Sequence, residues 1–297
     1  LVLIYAVITV SLLVLVGLPL LGGKLVIAQE TVAAETSTSK GKIWKGPNGV
    51  VLPFENNEEV TEFLRTAKVV QVEKLSEGKG GSKRVLLEKD GIKMRAIFRD
   101  IELSRSKGPG LRGKIRRNFR DHYRYEVAAY ELSQMLGLDN VPPTVIRQIH
   151  LEIGSLQIWV ENAITENIRQ KEERIPPSYL YYGRQSQVMK VFDNLIHNDD
   201  RNLGNILFDQ NWKLWMIDHT RTFRLDKELS EPEEIRSCEE DLWEKMQTLD
   251  EAALRERLGD FLRGTEIDAL LARKDLLVEH IRKLIEQKGE KAALFKY

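Results

Sequence analysis

The segment Ile196-His197-Asn198-Asp199-Asp200-Arg201-Asn202-Leu203-Gly204-Asn205 decides the fold of this chain, together with the two short apolar runs that follow it. Residues 206–208 and 212–217 are mostly apolar, and turn formers separate them, so the sequence predicts a β-hairpin. With Gln210 and Asn211 as the turn, Asn205 would pair with Met216 and share a face of the hairpin with Asp218. The two side chains are then expected about 7 Å apart along the strand. Carboxylate and amide oxygens at that separation can bind a Mg²⁺ ion.

Asp200 precedes Asn205 by five residues, which is the spacing of Asp and Asn in the kinase catalytic loop H-R-D-x-x-x-x-N. Residues 200–205, followed by Ile217-Asp218-His219, resemble the atypical kinases, above all the phosphatidylinositol 3-/4-kinase, HipA and secretory-pathway kinase branches. Those branches show D-R-H-x-x-N followed by I-D-F or I-D-H. In this chain Asn202 stands where many members have His, and Asn198-Asp199 replaces the usual His-Arg.

The resemblance implies an α+β, two-lobed, protein-kinase-like fold with a β-rich N-lobe and a mainly helical C-lobe. It also implies ATP as the donor, and Mg²⁺ or Mn²⁺ bound by Asn205 and Asp218. Asp200 would be the catalytic residue, taking the proton of the acceptor hydroxyl. An acidic surface loop followed by a turn is the alternative, and it explains each residue singly but not their joint spacing.

Residues 67–101 predict three strands, with a glycine-rich turn at 76–82 after the first and Lys89-Asp90-Gly91 as a hairpin turn. This order resembles a kinase N-lobe, in which Gly78, Gly80 and Gly81 would let backbone N–H groups approach the nucleotide phosphates. An ordinary hairpin turn explains the same glycines equally well.

Arg99, at the end of the third predicted strand, occupies the position where most members of the resembled families carry a Lys that binds phosphates. Arg can neutralise phosphate in bidentate fashion, and Lys93 on the same side of the strand is the alternative cation. A helical stripe of apolar residues follows at 123–136 and ends before Gly137. Glu126 on this helix is the candidate to position Arg99, with Glu131 as the alternative.

Residues 104–124 contain eight Lys or Arg and one Asp, and their Gly and Pro residues exclude one continuous helix. A solvent-exposed basic loop is the favoured interpretation. A site for an anionic substrate, a lipid headgroup or the nucleotide phosphates is the other.

The sequence divides into four predicted regions: a signal peptide or membrane anchor at 1–28, a flexible linker at 29–60, the N-lobe at 61–162 and the C-lobe at 163–297. Residues 1–21 are almost wholly apolar and long enough to span a bilayer. The protein is therefore expected to be membrane-anchored or exported, with the extracytoplasmic side favoured. It would contact the membrane through this segment if the segment is uncleaved. The 297 residues carry 45 basic and 45 acidic side chains, so no nucleic-acid partner is expected, and the single Cys238 excludes an internal disulfide.

The expected reaction is the in-line transfer of the γ-phosphoryl group of ATP to a hydroxyl of a protein, a lipid or a small molecule. Arg99 in place of Lys and the missing loop His leave a pseudokinase or nucleotide-binding scaffold as an alternative. AMP transfer on the same fold is another.

Overall fold

The computed structural model describes residues 44–75, 81–109, 115–198 and 200–297. The predicted signal peptide or anchor, residues 29–43 of the predicted linker, and Gly78, Gly80 and Asp199 lie outside these ranges. Within them, no helix combines the length and the apolar character needed to cross a bilayer.

A five-stranded antiparallel sheet forms the core of the part that we call the sheet lobe. Its strands are β1 (Lys68–Lys74), β2 (Lys83–Lys89), β3 (Ile92–Arg99), β6 (Thr144–Ile149) and β7 (Glu152–Ile158), in the order β1-β2-β3-β7-β6. Apolar residues alternate along β2 and β3, so that Val85, Leu87, Met94, Ala96 and Phe98 are buried together. The other face of β3 lines a cleft, described below.

The segment before β1 is folded, which corrects the flexible linker predicted for residues 29–60 over its part 44–60. Trp44 and Leu52 are buried in the core of the sheet lobe. Helix α1 (Asn57–Thr66) begins at the N-cap Asn56, whose side chain accepts the N–H of Glu59 at 2.9 Å. Trp44, Leu52 and Val60 from this segment pack in the core of the sheet lobe and hold the segment on the sheet.

Helices make up most of the remainder, which we call the helical lobe. They are α2 (Arg124–Met135), α3 (Glu166–Lys171), α4 (Tyr179–Ile196), α5 (Glu240–Thr248), α6 (Glu251–Leu258), α7 (Gly264–Lys288) and α8 (Glu290–Ala293). Side chains of α2, α4 and α7 share one hydrophobic core. Strands β8 (Ile164–Thr165), β9 (Ile206–Phe208) and β10 (Leu214–Met216) form a small sheet, and β11 (Cys238–Glu239) pairs with β12 (Leu294–Phe295).

The basic stretch forms a two-stranded antiparallel hairpin instead of the loop that we expected. Strands β4 (Glu102–Pro109) and β5 (Ile115–His122) pair from Glu102–His122 to Pro109–Ile115, and we call them the basic hairpin. Pairing of the two strands provides hydrogen-bond partners for their backbone N–H and C=O groups, while most of their side chains are exposed to solvent. The segment therefore shows no alternation of apolar and polar residues. Phe119 is its buried apolar residue.

Candidate active site

A cleft with a cavity of about 570 Å³ separates the β3 and β7 side of the sheet from β8, β9 and α3. Ile97, Val160, Leu207 and Ile217 contribute apolar walls, and Arg84 and Arg99 contribute positive charges. Cavities of a few hundred Å³ with apolar walls and few polar groups are typical of small-ligand sites. The cleft therefore has room for a flat apolar group next to an anionic one.

Arg99 and Glu126 form a buried ion pair at this cleft. Arg99 Nη1 lies 3.4 Å from Glu126 Oε1, and both side chains are less than a tenth exposed. Burial alone would raise the pKa of Glu126, but the charge of Arg99 and a hydrogen bond with His219 outweigh it and lower that pKa well below its usual value. The Glu126 carboxylate therefore compensates the charge of the buried Arg99 guanidinium next to it.

The alternative partners lie elsewhere. Lys93 is exposed and lies 3.9 Å from Glu88, whereas Glu131 pairs with Arg257 at 2.5 Å. The structure therefore brings together Arg99 and Glu126, and neither alternative residue takes part in the pair.

Arg201 anchors the loop that carries Asp200. Its guanidinium contacts both carboxylate oxygens of Asp193 on α4, and its Nη1 donates to the carbonyls of Asn205 at 2.8 Å and Ile217 at 2.7 Å. One side chain thus fixes helix α4, the loop and the β9–β10 hairpin relative to each other.

The register of the β9–β10 hairpin differs by one residue from the predicted one. Met216 pairs with Ile206, Asp209 N–H donates to Lys213 O at 3.1 Å, and Ile217 N–H donates to Asn205 O at 3.2 Å. The loop has three residues instead of two, because Trp212 adopts a left-handed conformation with φ of 61°. Asn205 is therefore opposite Ile217, and the predicted pairing with Met216 is wrong.

Asp218 directly follows the residue opposite Asn205, so the two predicted metal ligands remain neighbours despite the shift. Asp218 itself has a left-handed backbone with φ of 60°, which breaks the strand alternation on which the prediction relied. The side chain of Asn205 is buried, and its Nδ2 donates to Asp200 O at 3.2 Å. No described residue donates to its side-chain oxygen.

The charge around Asp218 suits a cation. Burial raises the pKa of Asp218, the charges of Glu126 and Asp121 raise it further, and Arg99 opposes them only in part. The part of the chain that the structure describes has no group of three His, Cys, Asp or Glu able to hold a metal alone. One carboxylate and one amide oxygen fit Mg²⁺ or Mn²⁺, because such ions commonly take their remaining ligands from phosphates and water.

His219 and Arg221 are the residues of this site whose contacts the sequence did not reveal. His219 is fully buried, with Nδ1 3.4 Å from Glu126 Oε2 and Nε2 3.0 Å from Arg201 Nη2. Arg221 donates to Asp200 Oδ2 at 2.8 Å and to Asp121 Oδ2 at 2.6 Å. Their only signal in the sequence was proximity to Asp218, since the partners are distant along the chain.

Gly81, the last glycine of the predicted glycine-rich turn, has φ of 67°. Leu75, just before this turn, lines the cleft, and its N–H donates to Ser82 O at 3.0 Å. Gly81 directly precedes Ser82 and therefore lies near the cleft, and its predicted role toward phosphates stays a prediction.

Comparison with solved structures identifies proteins of similar fold. The chain is similar to a hydra Fam20 solved with a sugar, with a TM-score of 0.62 and 17% identity over 80% of this chain and 92% of that one. It is also similar to the Golgi casein kinase, with a TM-score of 0.58 and 14% identity over 80% of this chain and 77% of that one. The Golgi casein kinase structure with Mn and ADP bound gives the same TM-score and identity, covering 78% of that chain. The chain therefore has an atypical kinase-like fold.

Comparison of sequences is less informative. No family model matches the chain. Protein Rv2133c of Mycobacterium tuberculosis is 29% identical over 132 residues, which cover 35% of this chain and 48% of that protein. The match thus spans about half the length of this curated relative.

Proposed function

We propose that this protein is a kinase-like phosphotransferase that moves the γ-phosphoryl group of ATP to a hydroxyl acceptor with the help of Mg²⁺ or Mn²⁺. One observation carries the proposal. Arg99 of the buried Arg99–Glu126 pair lines the cleft, and so do Gly204 and Ile217, which directly precede Asn205 and Asp218, within a kinase-like fold. The charges of Arg99 and Glu126 act on Asp218, and Asn205 contacts Asp200. Each feature alone has a structural explanation, whereas their convergence from β3, α2 and the β9–β10 hairpin does not.

The cleft supplies the nucleotide site in this proposal. Ile97, Leu207 and Ile217 would contact the base, and the guanidinium of Arg99, which lines the same cavity, would neutralise phosphate oxygens. Glu126 keeps that guanidinium aimed, because the ion pair is buried and both partners have few alternative positions. Arg differs from the usual Lys in offering a planar fork, and the buried pair shows that the site accommodates it.

Asn205 and Asp218 would hold the divalent cation, which supplies neutralisation of the charge on the transferring group. Asp200 has a side chain 36% exposed, so it can contact an acceptor hydroxyl, orient it and receive its proton. In this class of reaction, positioning and electrostatic stabilisation provide nearly all of the rate enhancement. The chain's own residues would therefore act by holding their partners in line.

The second candidate is a nucleotide-binding domain without transfer activity. The contact between Arg221 and Asp200 favours it, because one oxygen of the candidate catalytic carboxylate already accepts a hydrogen bond at 2.8 Å. In the phosphotransferase proposal the other oxygen, Oδ1, is the one that meets the acceptor.

Export or membrane anchoring through residues 1–28 is part of the proposal. The apolar sequence of that segment supports it, and so does the similarity of the fold to a kinase named for the Golgi. The proposal leaves the acceptor open among protein, lipid and small-molecule hydroxyls.

Thermal unfolding with nucleotide and metal tests the proposal. We expect Mg²⁺-ATP or Mn²⁺-ATP at about 100 times Kd to raise the Tm of the wild type by roughly 5 °C. Asp218→Asn should abolish this shift, whereas Asp200→Asn should keep the shift and lose the formation of ADP. Asp275→Asn is the matched control, since the Asp275 side chain is 74% exposed and lies on the surface of α7.

Mass spectrometry of the nucleotide products then separates the candidates. ADP formation by the wild type supports phosphoryl transfer, whereas release of pyrophosphate with attachment of AMP to the acceptor supports adenylyl transfer. A metal-dependent shift without any nucleotide turnover would establish the scaffold instead. If Mg²⁺-ATP and Mn²⁺-ATP do not change the Tm, phosphoryl transfer, adenylyl transfer and the nucleotide-binding scaffold are all rejected.

A further inference from the structure

Arg221 joins two carboxylates that come from different parts of the fold. Its Nε donates to Asp121 Oδ2 at 2.6 Å, at the end of the basic hairpin, and its Nη1 donates to Asp200 Oδ2 at 2.8 Å. The partners are 100 and 21 residues away along the chain. A guanidinium can make this bridge because its donors point outward in a rigid plane.

The residues around Arg221 support the bridge between Asp121 and Asp200. The Asp121 side chain is only 4% exposed, so its charge depends on Arg221 for compensation. The Arg221 guanidinium lies 5.6 Å from the centre of the Phe119 ring. A backbone hydrogen bond from His122 N–H to Thr220 O, at 2.8 Å, joins the same two segments beside it. Strand β5 and the segment after Asp218 are therefore fastened together by side chains and backbone.

The bridge also reaches the helix that carries Glu126. Strand β5 ends at His122, and α2 begins at Arg124, so Asp121 lies three residues before the N-terminus of α2. Tyr123 N–H, between them, donates to Ile101 O at 2.8 Å. Any displacement of the N-terminus of α2 would move Glu126, and with it the Arg99–Glu126 pair.

We propose that Arg221 is a positioning residue that, through Asp121, keeps Asp200 aligned with helix α2 and hence with the phosphate-binding side of the cleft. The inference rests on the proposed phosphotransferase function and assigns a role to residues outside the motif that suggested it. Arg221 would not contact the nucleotide. It would set the distance between the Asp200 carboxylate and the group held by Arg99.

The proposal predicts a specific kinetic pattern for ATP-to-ADP turnover. Arg221→Gln and Asp121→Asn should each lower kcat roughly tenfold to a hundredfold, because a displacement of about 1 Å costs up to that factor. The KM for ATP should stay within about threefold, since the cleft walls and Arg99 are unchanged. Combining both substitutions should reduce kcat no further than the worse single variant, because both break the same bridge.

Two further variants distinguish the loss of the Arg221 bridge from the loss of a positive charge and from a loss of stability. Arg221→Lys should be as slow as Arg221→Gln, since an ammonium group cannot contact both carboxylates with the same geometry. Arg221→Ala should regain turnover when guanidinium ions are added and should not respond to ammonium ions. The Mg²⁺-ATP thermal shift shows that each variant is folded and binds nucleotide. Arg117→Gln is the control, because Arg117 is an exposed cation on the same hairpin.

The outcomes distinguish this inference from the proposed function. A wild type without turnover would reject the function, and the positioning role of Arg221 with it. A wild type with turnover that Arg221→Gln and Arg221→Lys retain within twofold would reject the positioning role alone. A rise in KM with unchanged kcat would also reject it, because Arg221 would then serve binding.

Discussion

Both carboxylate oxygens of Asp193 accept hydrogen bonds from the guanidinium of Arg201, each at 2.9 Å. The two side chains are about a tenth exposed or less, so the pair is largely withdrawn from water. It connects the last turn of α4 to the residue that directly follows Asp200. The position of the candidate catalytic carboxylate therefore depends on a structural ion pair next to it.

Breaking this pair should cost considerable stability. Asp193→Asn leaves the Arg201 guanidinium buried without its counter-charge, and we expect the free energy of unfolding to fall by about 3–5 kcal/mol. Urea denaturation followed by circular dichroism measures the loss. Arg282→Gln, which removes an exposed ion pair with Glu279, should cost under about 1 kcal/mol. Equal effects of the two substitutions would show that the buried pair is not a structural anchor.

Asp218→Asn should stabilise the metal-free protein at neutral pH. Because burial and the charges of Glu126 and Asp121 raise the pKa of Asp218, folding is penalised at pH values above the folded-state pKa. This penalty disappears as the pH falls through that value, and Asn never carries it. Asn also tolerates the left-handed backbone at this position.

The measurement is the Tm of wild type and Asp218→Asn between pH 4 and pH 8 in the presence of EDTA. We expect the variant to melt higher at pH 8 and the difference to shrink toward acid. A variant that melts lower than the wild type across the range would contradict the predicted charge balance.

A bulky side chain in the cleft should block nucleotide binding without unfolding the protein. Ala163 lines the cavity, and Ala163→Phe would place a ring in the space assigned to the base. We expect at least a tenfold loss of ATP affinity, measured by isothermal titration calorimetry, with a nearly unchanged Tm. Ile153→Phe is the control, because Ile153 is 52% exposed and outside the cavity lining. Unchanged affinity in Ala163→Phe would place the nucleotide elsewhere.

Stability should fall in mild acid because of His197. Burial, followed by the nearby charge of Arg273, lowers the pKa of His197 from 6.5 to about 4. Between these values the unfolded chain binds a proton that the folded chain does not, so stability is complete above pH 6.5 and declines toward pH 4. The decline attributable to this residue should reach about 3 kcal/mol.

His197→Asn tests this, because Asn does not titrate and tolerates the left-handed backbone of His197, with φ of 52°. The unfolding free energy of the variant, measured by urea denaturation, should depend less on pH between 4 and 6.5. His150→Asn is a closely matched control, since His150 is exposed and has φ of 54°. Equal slopes for His197→Asn and the wild type would refute the assignment.

Local patterns in the sequence were enough to predict the three strands β1 to β3, helix α2 and the neighbourhood of Asn205 and Asp218. The alternation of apolar residues in β2 and β3 and the apolar stripe of α2 are periodic patterns that can be recognised in the sequence without knowledge of tertiary contacts. A short loop leaves few ways to arrange five residues, so Asn205 lies close to Asp200, and the catalytic and metal-binding roles assigned to this spacing stay predictions. The kinase-like fold was expected from the resemblance of residues 200–205 and 217–219 to the atypical kinases.

The hairpin register could not be predicted because it depends on Trp212. A large aromatic residue rarely adopts a left-handed backbone, so a two-residue turn at Gln210 and Asn211 was the better local choice. Contacts of Trp212 with the core, including its ring 6.0 Å from that of Phe208, accompany the unusual conformation. Tertiary packing thus overrode the turn preference and moved Asn205 opposite Ile217.

The basic hairpin and the folded segment at 44–60 escaped prediction for a different reason. Both are held by a few distant partners, such as Trp215 for Trp44, with ring centres 5.2 Å apart, and Arg221 for Asp121. Such long-range contacts leave no periodic trace in the sequence. Arg221 was overlooked for the same reason, although it lies only three residues after Asp218.

The five contacts of Arg201 affect how genetic data on this protein should be interpreted. A cell that carries a substitution at Arg201 should contain less of the protein, since quality control removes chains that are destabilised by several kcal/mol. Its phenotype would report abundance and would say nothing about chemistry. A substitution at Asp200, one residue earlier and partly exposed, should leave the amount of protein unchanged. Of these two neighbouring positions, only Asp200 gives an inactive allele whose effects can be attributed to the lost reaction.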